Sequence, residues 1–321
     1  MGDKTKIDWA DATWNPVTGC LHGCAYCYAR KIANRFGGGY EFVADFQMDE
    51  SGNGMVDAEG MPIFERLGAY PYEASGECHV LENPADENDA HVVPNWCEEN
   101  YGEKPKNYPY PWYFDPTFHK YRLNEPKGWK KPRNIFVCSM ADLFGEWVPD
   151  EWIREVFEAC KAAPQHRYLF LTKNPNRLIR MANAHIIREW NEEYPEKPHR
   201  SMSEFENVLP LPVHDNWWFG STIDNANARR FQGDFTWHTF TSIEPLTEFM
   251  DMGLGSFGSD RWTIIGAETG NRKEKVIPRR EWVENILEAA AITGVKVFMK
   301  ESLRELMGDD FRQEFPWEVR K

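Results

Sequence analysis

The chain has 321 residues, 41% of them hydrophobic, with 14 Trp, 20 Phe and 12 Tyr, enough apolar material for one large α/β domain with an insertion and too much for a disordered polymer. Lys and Arg total 37 against 51 Asp and Glu, a net charge of -14, which excludes broad salt-driven attraction to a nucleic-acid backbone and restricts any such contact to local patches. The N-terminus lacks the apolar core of a signal peptide, Lys6 stands where a myristoylation motif wants Ser or Thr, and no apolar run reaches transmembrane length. The expected compartment is therefore cytoplasmic, with no membrane contact, where thiols stay reduced.

A first short strand is expected before the cysteine loop, ending near Thr18. The loop itself reads Gly19-Cys20-Leu21-His22-Gly23-Cys24-Ala25-Tyr26-Cys27-Tyr28 and holds three of the seven cysteines at the spacing C-x3-C-x2-C. From Tyr28 to Phe36 the pattern turns helical, with Ile32, Ala33 and Phe36 on one side, and Gly37-Gly38-Gly39 ends it. The triple glycine follows a helix and lacks a subsequent Gly-Lys-Ser/Thr, so it is a helix stop and not a phosphate loop.

Residues from about 40 to 130 lose regular periodicity, yet Tyr108-Pro109-Tyr110-Pro111-Trp112-Tyr113-Phe114 is too aromatic for a free linker, and an ordered, inserted lid is expected. Within it Cys78, His79, His91 and Cys97 have the ligand types of a Cys2His2 metal site at no familiar spacing; ordinary buried thiols are the alternative. Beyond Arg133 strands and helices alternate. Strands are expected at Asn134–Ser139, Tyr168–Thr172, Trp217–Thr222, His238–Ser242, Trp262–Gly266 and Val295–Lys300. Helices open at Pro149-Asp150 and Pro175-Asn176, and another precedes Gly294. Repeated apolar strands with helical crossovers imply a parallel sheet, and about seven of them imply a full or partial (β/α) barrel. The expected division is a cluster-binding strand, loop and helix over 1–45, the inserted lid over 46–115, and the remainder of the barrel with a C-terminal extension over 116–321.

Barrel sites are built from the loops at the C-terminal ends of the strands. Those ends carry Ser139 to Asp142, Thr172-Lys173-Asn174, Ser221 to Asn225, Ser242 to Pro245, Gly266 to Gly270 and Lys300-Glu301. Singly these are ordinary caps, Asp142 and Asp224 included; together they surround one mouth. Three thiolates on one tight loop can hold three irons of a [4Fe-4S] cluster and leave the fourth iron open. A zinc site and a disulfide with one spare thiol are the competing readings of Cys20, Cys24 and Cys27.

The cysteine spacing, with an aromatic before the third cysteine, resembles the signature of the radical S-adenosylmethionine (SAM) superfamily. Asp11 to Cys20, Ser139 to Phe144, Pro164-Gln165-His166, Leu171-Thr172-Lys173, Glu244-Pro245-Leu246 and Gly266 to Gly270 are together similar to a phage-associated family of radical SAM-like proteins. The resemblance covers residues 5 to 40 and 118 to 300, and the insertion departs from it. It implies a radical SAM barrel, with the cluster on the three cysteines and SAM in the open position. It further implies that a reduced cluster would cleave SAM there to a 5'-deoxyadenosyl radical. SAM is expected on Tyr26, Asp142, Lys173, Ser221 and Glu244, with Asp142 and Glu244 near its amino group and ribose. Lys173, Glu268 and Lys300 are the expected catalytic residues. The implied partners are an external electron donor such as flavodoxin and a modified DNA base or nucleotide, with glycinyl-thymidine isomerisation as one such activity. A flipped base needs aromatic walls, and Lys130, Lys131, Arg133, Arg229 and Arg230 are the candidate phosphate contacts. A radical SAM enzyme acting on a peptide or small metabolite, and a non-enzymatic zinc module, are the alternatives. The oligomeric state stays open.

Overall fold

The computed structural model of the protein describes residues 5–37, 110, 113–197, 203–253, 255–270 and 272–317, with the backbone of strands at 40–46, 64–71, 81–82 and 90–91. Proline divides the expected first strand. Pro16 cannot donate to a ladder, so β1 (Ala12–Trp14) stops before it and β2 (Val17–Thr18) begins after it in a different sheet. α1 (Tyr28–Phe36) follows the cysteine loop, and β3 (Tyr40–Phe46) pairs antiparallel with β4 (Phe64–Pro71). The short strands β5 (Leu81–Glu82), β6 (Ala90–His91) and β7 (Thr117–Phe118) join β2 in the order β2-β7-β5-β6. Most of the expected lid, with Cys78, His79, Cys97 and the His91 side chain, lies outside the described residues.

The regular part begins with β8 (Asn134–Val137). It continues through α2 (Asp150–Lys161), β9 (Arg167–Thr172), α3 (Pro175–Glu193), β10 (Trp217–Thr222), β11 (His238–Ile243), β12 (Asp260–Ile265), α4 (Arg280–Thr293) and β13 (Lys296–Met299). α4 stops where expected, with Gly294 left-handed at φ 73°. The sheet order is β1-β8-β9-β10-β11-β12-β13, and every neighbouring pair is parallel. This is a curled α/β half-barrel. Its strand sites agree with the apolar runs of the sequence.

Both faces of the sheet are buried. Ile135, Val137, Tyr168, Phe170, Trp217 and Phe219 point outward into the core shared with α2 and α3, while Ile243, Ile265, Val297 and Met299 meet α4. The concave side is lined by Phe136, Leu169, Trp218, Phe240, Trp262 and Phe298, one residue from each of six strands. Trp9 packs into this concavity against Phe136, Phe240 and Trp262. The C-terminal segment does the same from the end where the strands start. Trp262 Nε1 donates to the Glu314 carbonyl at 2.9 Å, and Trp317 meets Trp218 and Trp262 edge-on at 5.0 and 5.1 Å. Aromatic packing therefore fills the floor and leaves polar chemistry to the mouth at the strand ends.

One buried acid is exposed to a pH test. Asp260, at the start of β12, is 6% exposed; burial raises its carboxyl from 3.8 to about 6, against the lowering bonds from Thr241 and Thr239 and the charge of Arg230. A raised folded pKa means the folded chain binds more protons between these values, so stability falls as pH rises from about 4 to about 6. The two-unit difference corresponds to about 3 kcal/mol. Urea midpoints should fall across this window in the wild type, and Asp260→Asn should flatten the decline; an identical slope in the variant would contradict it.

Candidate functional site

The cysteine loop is held by backbone contacts that begin at Gly19. Gly19 N donates to the Met140 carbonyl at 2.9 Å and Cys20 N to the Phe114 carbonyl at 3.0 Å, fastening the loop to the end of β8 and to the segment before β7. Gly19 has φ 86°, and a Cβ there would lie 2.0 Å from the Asp115 carbonyl oxygen, so only glycine fits. Asn15 is buried beneath the loop, its Oδ1 accepting from Met140 N at 2.9 Å and from the Ser139 hydroxyl at 3.1 Å. Cys27 then caps α1, its sulfur accepting from Arg30 N at 3.3 Å. Cys20, Cys24 and Cys27 are free thiols, each half-buried. Burial pushes Cys20 up to about 12 and raises Cys24, the latter against the lowering charge of Lys173.

All three cysteines open onto one cavity of about 340 Å³ at the mouth of the half-barrel. Its lower wall is Trp9, Phe136 and Leu171; its rim carries the charged groups. On the β8 to β10 side, Lys173 Nζ donates to Asp224 Oδ2 at 2.6 Å and to the Tyr26 hydroxyl at 2.6 Å, and the same hydroxyl donates to Asp224. Burial would raise Asp224, but the bonds from Lys173 and Tyr26 bring it down to about 2. On the β11 to β13 side Lys300 pairs with Glu244, and Glu268 is held bidentately by Arg272 at 2.6 and 2.7 Å. A second, polar cavity of about 400 Å³ adjoins the first through His22, Cys24, Lys173 and Thr222 and contains Asn174, Asp224 and Arg229. Among the described residues, no three His, Cys, Asp or Glu side chains converge on a single-ion position.

Tyr26, Asp142, Lys173, Glu244, Glu268 and Lys300 thus meet the three cysteines around one cavity. Ser221 does not join them. Alternation along β10 turns it to the convex side, where its hydroxyl accepts from Phe231 N at 2.9 Å, and Thr222 lines the cavity instead. Asp142 lines the cavity with its carboxylate engaged by the protein. Oδ1 accepts from Phe144 N at 3.0 Å and the Thr172 hydroxyl at 2.7 Å; Oδ2 accepts from Lys173 N at 2.9 Å and lies 2.7 Å from His22 Nε2. A carboxylate has about four acceptor sites, so these partners fill it, and Asp142 ties the cysteine loop to β8 and β9. Asp224, which the sequence allowed as a helix cap, is instead the counter-ion of Lys173. Lys130, Lys131 and Arg133 precede β8 and so lie at the end of the half-barrel away from the mouth, whereas Arg229 stands at the adjoining cavity. Arg230 is half-buried and feels Asp260.

Asp142→Ala is accordingly expected to destabilise the chain by about 3 kcal/mol or more, since it strands several buried donors. Chemical denaturation measures it. A variant of wild-type stability that had lost only SAM affinity would contradict this anchoring role and make Asp142 a ligand alone.

No curated protein and no solved structure matches the chain. A family model does match, over residues 4–62 and 91–306, which include the cysteine loop and every strand of the half-barrel. The chain belongs to the family described as Protein of unknown function (DUF5131).

Proposed function

We propose that the protein is a radical SAM enzyme, with a [4Fe-4S] cluster on Cys20, Cys24 and Cys27, and that its substrate is an amino-acid-modified thymidine in phage DNA. The observation that carries this reading is the opening of all three thiols onto one cavity whose rim is built from the ends of successive parallel strands. The donor set fits: three soft sulfur ligands, unpaired in disulfides, suit an iron-sulfur cluster and leave one metal position for a cofactor. The cluster and SAM, when bound, supply one-electron cleavage of the sulfonium and hydrogen abstraction from an unreactive carbon.

The chain's own residues supply binding and orientation. Glu244 and Glu268 offer carboxylates to an ammonium group, and Lys173 and Lys300 offer cations to a carboxylate, each poised by an existing ion pair. Lys173 and Glu244 are assigned to SAM, and Glu268 and Lys300 to the substrate. Tyr26, anchored at its hydroxyl by Lys173 and Asp224, presents a fixed ring for an adenine to lie against. Trp9, Phe136 and Leu171 keep the base of the cavity apolar, which protects a reactive radical from water. The net charge of -14 favours a second reading, a peptide or small-metabolite substrate for the same chemistry.

The deciding experiment incubates the reduced protein and SAM with DNA bearing glycinyl-thymidine, digests it, and follows nucleosides by chromatography and fragmentation. An isomer of unchanged mass and altered fragmentation, formed only with all three cysteines intact, is expected. Cleavage of SAM with every nucleoside unchanged and a peptide or metabolite converted would remove the DNA substrate.

A further inference from the structure

We infer that the outward face of α1 is a nucleic-acid contact surface beside the cavity mouth; this rests on the nucleic-acid reading of the substrate. The sequence of α1, Tyr-Ala-Arg-Lys-Ile-Ala-Asn-Arg-Phe, has three cations and no acid in a chain of net charge -14. Periodicity placed Ile32, Ala33 and Phe36 on one side, the arrangement that ordinarily faces a core. The structure instead buries Ala29 and Ala33 and turns Tyr28, Lys31, Ile32, Arg35 and Phe36 outward, the i, i+3, i+4, i+7, i+8 stripe of one helix face. Tyr28 is 51% exposed, Ile32 37% and Phe36 57%.

Apolar and aromatic groups interleaved with cations match a nucleic-acid strand, whose phosphates take the charges and whose bases stack on the rings. The Arg35 guanidinium lies 5.1 Å over the Phe36 ring, so charge and stacking surface are presented together. Position supports the same partner. Tyr28, Ala29 and Lys31 line the cavity itself, so a strand lying along α1 delivers a neighbouring base to the mouth, while Lys130, Lys131 and Arg133 sit at the other end of β8. On a strongly acidic protein such a local stripe is the form that polyanion binding has to take.

The test is fluorescence anisotropy of the full chain with a labelled, unmodified DNA single strand of about 15 nucleotides, titrated between about 50 and 200 mM salt. Lys31→Ala/Arg35→Ala should weaken binding at least about tenfold at the lower salt and reduce the salt slope by about 1.4, which is 0.7 for each of two phosphate contacts. Phe36→Ala should weaken binding about tenfold with the slope unchanged, because stacking releases no counterions. Lys130→Ala/Lys131→Ala should bind like wild type. Matched thermal melts confirm folding, since every altered side chain is solvent-exposed. Wild-type affinity and slope in the α1 variants would overturn the inference while leaving a nucleic-acid substrate in place. Normal DNA binding with impaired reduction by flavodoxin would assign the face to the electron donor. A wild-type protein that cleaves SAM yet binds no DNA would remove both the surface and the DNA substrate, and leave the radical assignment.

Discussion

Replacing Cys20, Cys24 and Cys27 together by Ala is expected to abolish iron and sulfide binding and to bleach an otherwise brown, oxygen-sensitive protein. Metal must displace protons from these thiols, and burial holds Cys20 at about 12, so only a strongly bound cation turns it into a thiolate near neutrality. The fold should survive, because the loop is fastened through Gly19 N, Cys20 N and Asn15 and not through sulfur. Cys27 is the exception: its sulfur caps α1, and alanine there costs about 1 kcal/mol, which serine, a good N-cap, restores. Cys27→Ser should therefore lose iron while keeping helix stability. A triple variant with full iron content and visible absorbance would falsify the cluster assignment.

The second large effect is expected at Lys173. Its ammonium bridges Tyr26 and Asp224 at 2.6 Å each, and it is the cation that Cys24 feels most. Lys173→Met leaves Asp224 without its counter-ion and Tyr26 without one of its two anchors. SAM affinity should fall by about 1.5 to 3 kcal/mol, roughly tenfold to a hundredfold, while iron content stays unchanged. Equilibrium binding of SAM to the iron-loaded protein measures this, with iron analysis on the same samples. Undiminished affinity in Lys173→Met would take Lys173 out of the SAM site.

The half-barrel was legible because its strands are continuous apolar runs, and the helix stops at Gly37 and Gly294 were legible because glycine acts locally. The parity of Ser221 and Thr222 was not. A sheet buried on both faces shows no alternation between apolar and polar, so nothing in Trp-Trp-Phe-Gly-Ser-Thr says which hydroxyl points inward. The hydrogen bonds of Asp142 were hidden for a different reason. Its partners come from His22, Thr172 and Lys173, 120, 30 and 31 residues away, and saturation of a carboxylate is a property of the folded neighbourhood. The exposed stripe on α1 inverted the ordinary rule, since its large apolar residues face out and its two alanines face in. Such an inversion marks a surface with something to touch. Strand polarity, by contrast, was available in the sequence: Lys130, Lys131 and Arg133 precede β8, and residues before a barrel strand belong to the end opposite its site.

The most direct test of the radical SAM assignment is anaerobic reconstitution of the wild-type chain with iron and sulfide, followed by reduction with dithionite in the presence of SAM. Four irons and four sulfides per chain are expected, with methionine and 5'-deoxyadenosine formed in equal amounts and neither appearing when Cys20, Cys24 and Cys27 are alanine. A colourless protein that takes up zinc on these cysteines and leaves SAM intact under the same conditions would contradict it.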